Sequence, residues 1–122
     1  MRHTRAYIIN LMICLGGLLV ASCGKQYTAE QTVKSFVEEN IKEGVETKRL
    51  GFADLGTTRH INDSLVAKMR KNGAELYKSG IKYGNMTEGD VYYLRMKYLY
   101  KGDTLQNTFY LDSEHKEVIA FK

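Results

Sequence analysis

Hydrophobic positions along the chain fall into three regimes. From Ile8 to Val20 they run almost without interruption, broken by Asn10 and two glycines. Between Val33 and Ile41 they recur as Val33, Phe36, Val37 and Ile41, the spacing of one helical stripe. From Val91 to Tyr100 they alternate, with Tyr92, Leu94, Met96, Tyr98 and Tyr100 on one side and Arg95 and Lys97 on the other. That period of two predicts a strand with one buried face.

Local signals place the ends of these elements. Thr28 followed by Gln31 reads as a capping box, and Glu30 suits the positive end of the helix dipole. Gly44 is placed to stop this first helix. The pattern then weakens: Thr47 to Ala53 predicts a short strand with Leu50 and Phe52 on one face, and Gly56-Thr57-Thr58 reads as a loop. A second helix is expected from Asn62 or Asp63, both good caps, with Leu65, Met69, Leu76 and Tyr77 as its inner stripe and Gly80 at its end.

The C-terminal third reads as an antiparallel meander. Gly102-Asp103 suits a two-residue hairpin turn. Pairing Lys101 with Thr104 then sets Tyr98 opposite Asn107, Met96 opposite Phe109 and Leu94 opposite Leu111. Leu105, Phe109 and Leu111 join the apolar row in that register, and a one-residue slip would reverse every side chain. A looser turn over Ser113 to Lys116 returns the chain as a last strand, with Val118 and Ala120 on the buried face. Tyr93, Leu99, Tyr110, Ile119 and Phe121 are expected on the other face with Arg95 and Lys97. Aromatic and cationic residues mixed in this way are a common interface composition. The alternative is that the second helix, the weak strand or a loop covers this face.

The order is helix, weak strand, helix and three strands, an α+β layer architecture with two helices packed on an antiparallel β-meander. In topology it resembles the cystatin-like/NTF2-like group. The cystatin inhibitors of that group use a Gln-x-Val-x-Gly loop and a Pro-Trp hairpin, and this chain has neither motif, no Pro and no Trp. The NTF2-like enzymes place a carboxylate and a Tyr or His inside an apolar cone, for which Asp54, Asp112, Tyr92 and Tyr98 are the candidates. That alternative, a small-molecule-binding or isomerase-like cavity, stands beside a non-enzymatic reading, because no nucleophile–base pair is visible.

The first regime has a different meaning. Arg2 and Arg5, the apolar run, and the small residues Ala21 and Ser22 follow the layout of a secretory signal. The run is too short for a spanning helix of about 20 apolar residues. The stretch Val20-Ala21-Ser22-Cys23 resembles the lipobox of bacterial lipoproteins, in which the Cys thiol takes a diacylglycerol and a peptidase cuts before it. The resemblance implies a signal peptide over 1–22, lipidation at Cys23, and attachment to a membrane through acyl chains. Cys14 would leave with the leader, so Cys23 would be the sole mature thiol. Residues 23–27 read as a short lipidated tether, and 28–122 as a single domain. By analogy with enteric lipoproteins, Gly24 rather than Asp after the Cys favours the outer membrane.

Charge and ligand chemistry narrow the rest. Losing Arg2 and Arg5 lowers the formal charge from +4 to +2, too mild a balance for a nucleic-acid binder. His60 and His115 are isolated, and Asp112, Glu114 and Glu117 lack a calcium-loop pattern, so no metal or other cofactor is expected. Asp63-Ser64-Leu65 and Asp103-Thr104-Leu105 resemble a short glycosylation motif of some Gram-negative envelopes, which leaves Ser64 and Thr104 as candidate acceptors. The sequence thus points to a lipid-anchored envelope module that binds a protein, peptide or glycan, with Tyr93, Arg95, Lys97, Tyr110 and Phe121 as its expected contact residues.

Overall fold

The computed structural model describes residues 24–72, 75–86 and 90–122; the expected leader and Cys23 lie outside the described residues. Residues 24–40 are helical and form α1. Ala29, Val33 and Phe36 are its buried stripe. The helix starts upstream of the expected cap. Thr28 Oγ1 donates to the Gly24 carbonyl at 2.8 Å, a bond within the helix, and Gly24–Tyr27 are helical rather than an extended tether. The cause is tertiary. Gln26 Nε2 donates to the Ala53 carbonyl at 3.0 Å and its Oε1 accepts from the Leu55 amide at 2.7 Å, which fixes this turn of the helix to the neighbouring loop. Beyond α1 the chain turns at Gly44, whose φ of +80° is the left-handed conformation that glycine adopts freely.

Five strands follow: β1 (Lys48–Phe52), β2 (Gly56–Thr58), β3 (Val91–Tyr100), β4 (Asp103–Leu111) and β5 (Val118–Phe121), with helix α2 (Asp63–Asn72) between β2 and β3. They form one antiparallel sheet in the order β1-β3-β4-β5. β2 pairs with the Val91–Tyr93 stretch of β3, and β1 pairs further along the same edge with Met96–Leu99. The expected loop at Gly56-Thr57-Thr58 is therefore a strand. Glycine is what its pairing requires, since a Cβ at Gly56 would lie 2.4 Å from Tyr93 Cζ.

Two corrections concern register. The β3–β4 turn is Lys101-Gly102, with Tyr100 opposite Asp103, Tyr98 opposite Leu105 and Leu94 opposite Phe109. Both turn residues have positive φ, 50° and 84°, as a type I′ turn requires, and this twist matches that of the flanking strands. The displacement from the expected register is two residues, so every side chain keeps its face. The second correction changes faces. Pairing along β4 and β5 shifts between Tyr110 and Leu111: Leu111 opposes Val118, Tyr110 opposes Ala120 and Phe109 opposes Phe121. This bulge inserts one residue, Ile119, so Phe121 joins Val118 on the inner face, while Ala120, expected there, stands opposite Tyr110 on the outer one.

Each face of the sheet has its own apolar cluster. On the inner face Ala29, Val33 and Phe36 of α1 pack against Leu94, Met96, Tyr98, Phe109, Leu111, Val118 and Phe121. Rings fill the space there: Phe36 meets Phe109 edge-on at 5.9 Å and Phe121 at 5.6 Å, and Tyr77 lies 4.7 Å from Phe121. On the outer face Val91, Tyr110 and Ile119 are covered by Ile61, Met69 and Met86.

Helix α2 begins as expected, with Asn62 Oδ1 accepting from the Leu65 amide at 2.9 Å. Its inner stripe differs: Val66 is buried and Leu65 is 41% exposed. Leu76 and Tyr77 lie beyond its last residue, Asn72. Tyr77 instead forms a β-bridge with Ile41, which carries its ring onto Phe121. The result is α+β, two helices packed on a five-stranded antiparallel sheet, an arrangement consistent with a cystatin-like/NTF2-like fold.

Candidate interaction face

The residues expected on the outer face separate into three groups. Phe121 is only 3% exposed and belongs to the inner core, because the β5 bulge turns it inward. Tyr110 is on the outer face but only 7% exposed, beneath the cluster built by Ile61, Met69 and Met86. Neither is open to a partner. Tyr93 packs at the margin of that cluster and is half-buried, and beyond it Arg95 and Lys97 are exposed.

Strand alternation builds the rest of this open surface. Opposite Lys97 and Leu99 on β4 stand Gln106 and Thr104, both exposed, whereas Thr108, opposite Arg95, is buried. On β1, Gly51 opposes Lys97 and Lys48 opposes Leu99. Pairing on β1 shifts between Arg49 and Gly51, and the extra residue, Leu50, is left 49% exposed. Leu50, Gly51, Arg95, Lys97 and Gln106 line one shallow cleft. The expected sharing of a face by Leu50 and Phe52 fails for the same reason, since Phe52 packs on the inner core. Gly51 was the available sign in the sequence: a glycine inside a strand pattern often marks a bulge.

The electrostatics of this face are one-sided. Lys48, Arg95 and Lys97 are cationic, and no outer position of β1, β3 or β4 named above carries a carboxylate. Among the described residues the ion pairs are Arg59 with Asp90 and Lys116 with Glu114, so these three cations are unpaired there. The Arg95 guanidinium lies 5.3 Å from the Tyr93 ring centroid, which holds it over the sheet rather than extended into solvent.

The residues weighed for cavity chemistry are engaged elsewhere. Asp54 is exposed in a loop. Asp112 Oδ1 accepts from the Lys116 and Glu117 amides at 2.8 and 3.1 Å, so its carboxylate shapes the β4–β5 turn. Tyr98 Oη donates to Asn107 Oδ1, and burial raises its pKa above the ordinary tyrosine value. Tyr92 meets His115 edge-on at 4.0 Å. His115 is buried with φ of +60°, and its carbonyl accepts from Thr32 of α1. Its pKa is lowered, first by burial and then by Lys25, against smaller opposing effects of Asp112 and a backbone hydrogen bond at Glu114.

The described residues hold no group of three or more His, Cys, Asp or Glu side chains placed to bind a metal ion. Ser64, in the first turn of α2, and Thr104, in β4, are both exposed. No helix of the described residues is long and apolar enough to cross a membrane. Comparison with protein-family models, with curated proteins and with solved structures finds no match to this chain.

Proposed function

We propose that this protein is a non-enzymatic module of a bacterial envelope, anchored through acyl chains on Cys23, that binds an acidic partner on the open half of its sheet. The partner is an envelope protein, peptide or glycan carrying carboxylate or phosphate groups. One observation supports this reading above the others: Lys48, Arg95 and Lys97 share a face with exposed Leu50 and with no carboxylate among its register positions. Unpaired cations around an apolar point suit a partner that offers anions around an apolar group. The ring-filled interior between α1 and the sheet argues against the isomerase-like cavity. Outer-membrane residence follows from the same signal resemblance, through Gly24.

The test is affinity recovery of the intact protein from cross-linked envelopes. Reversing two charges, Arg95→Glu with Lys97→Glu, should abolish recovery of the co-purifying partner. Thr57→Ala, at an exposed position of β2, should leave it intact. Recovery that survives the double reversal would reject the face. Cys23→Ser should separately abolish acyl labelling, and persistent labelling would reject the anchor site.

A further inference from the structure

The helical residues beside Cys23 bear on how an anchored domain would be held. Gly24, the residue after Cys23, is already helical, so no extended stretch separates the expected anchor from the fold. The turn around Gln26 is also clamped. Gln26 engages both the Ala53 carbonyl and the Leu55 amide, and its Nε2 lies 3.0 Å from Glu30 Oε2 as well. A side-chain amide that satisfies two backbone groups of one loop acts as a strand partner would, and it fixes both position and angle.

The fold extends from this point in one direction. Lys25, Gln26 and Tyr27 lie beside Leu55 and Tyr92, near the start of β3. Val37 and Ile41, at the other end of α1, lie beside Met96 and Tyr98, near the end of β3. Helix α1 and strand β3 therefore run the same way, and the Lys101-Gly102 turn sits at the end of the sheet remote from Gly24. Seventeen helical residues span about 25 Å.

From this geometry, and resting on the Cys23 anchor proposed above, we infer that the end carrying Lys25 and Tyr27 contacts the lipid headgroups while the β3–β4 hairpin points away from the bilayer. Tyr27 is 65% exposed, and tyrosine is a residue that membrane interfaces favour. The orientation comes from the covalent anchor and from the fixing of α1 to the fold, through Ala29, Val33 and Phe36 in the core and the Gln26 clamp, rather than from charge, since Asp54 and Glu30 lie beside Lys25 at that end. It places Arg95 and Lys97, well along β3, above the membrane surface and open to a partner.

The chain has no Trp, so single indole reporters can be introduced. Tyr27→Trp and Tyr100→Trp are made separately in the full, lipidated protein and bound to vesicles of phosphatidylethanolamine and phosphatidylglycerol containing brominated lipid. The expected result is blue-shifted, strongly quenched emission from the Tyr27→Trp protein and unquenched emission from the Tyr100→Trp protein. Equal quenching at the two positions in protein that floats would overturn the orientation alone. Protein that lacks the acyl mass and does not float would overturn the anchor, and the orientation with it.

Discussion

Phe109 and Phe121 stack with ring centroids 5.5 Å apart and planes inclined by 16°, on the inner face of the sheet. The contact exists because the β5 bulge turns Phe121 to the side occupied by Val118. Phe121 also meets Phe36, Tyr77 and Tyr83. Truncating a core phenylalanine costs about 3–5 kcal/mol. Phe121→Ala should therefore lower unfolding free energy by that amount in denaturant titration, while Leu50→Ser, at an exposed position, should stay within about 0.5 kcal/mol of wild type.

Gly56 and Tyr93 form a pair that can be tested as a pair. A methyl group at position 56 would overlap the Tyr93 ring, so Gly56→Ala should cost about 1–3 kcal/mol. In a Tyr93→Ala background the obstruction is gone and the same change should cost much less. The four proteins of a double-mutant cycle, unfolded side by side, would show this as a coupling energy.

The type I′ turn makes opposite predictions for its two residues. Lys101 adopts φ of 50° and Gly102 φ of 84°, and Asn-Gly is the preferred sequence for this geometry. Lys101→Asn should raise the thermal midpoint modestly. Gly102→Ala should lower it, since an L-residue in this conformation costs about 1–2 kcal/mol. A thermal melt followed by circular dichroism reads both.

His115 sets a pH dependence with a definite sign. Its pKa is lower in the folded protein than the ordinary value of 6.5, chiefly through burial. The unfolded chain then binds more protons than the folded one as pH falls below 6.5, so protonation favours unfolding. The stability of this turn should be fully present above that pH and decline as pH falls through it toward the folded-state value. Asn tolerates positive φ, so His115→Asn should flatten the dependence between pH 7.5 and 5.5, in about that range of histidine titration, when unfolding is measured at each pH.

By itself the sequence determined the layers. Helical spacing from Val33 to Phe36 and alternation along β3 depend only on side-chain period and backbone geometry, and Asn62 caps its helix through a local hydrogen bond. Even the misplaced hairpin turn left the faces correct, because its register error was an even number of residues. Tertiary structure decided whatever depends on an odd residue or on a distant partner. The bulges opposite Lys97 and Tyr110 each add one residue, which exposes Leu50 and buries Phe121, and pairing across strands rather than local propensity sets where that residue goes. Helix α2 covers Tyr110 because Val66 and Met69 turn inward. Gln26 ties the helical turn upstream of Thr28 to partners in a loop remote in sequence, at Ala53 and Leu55, and no local pattern around Thr28 signals them.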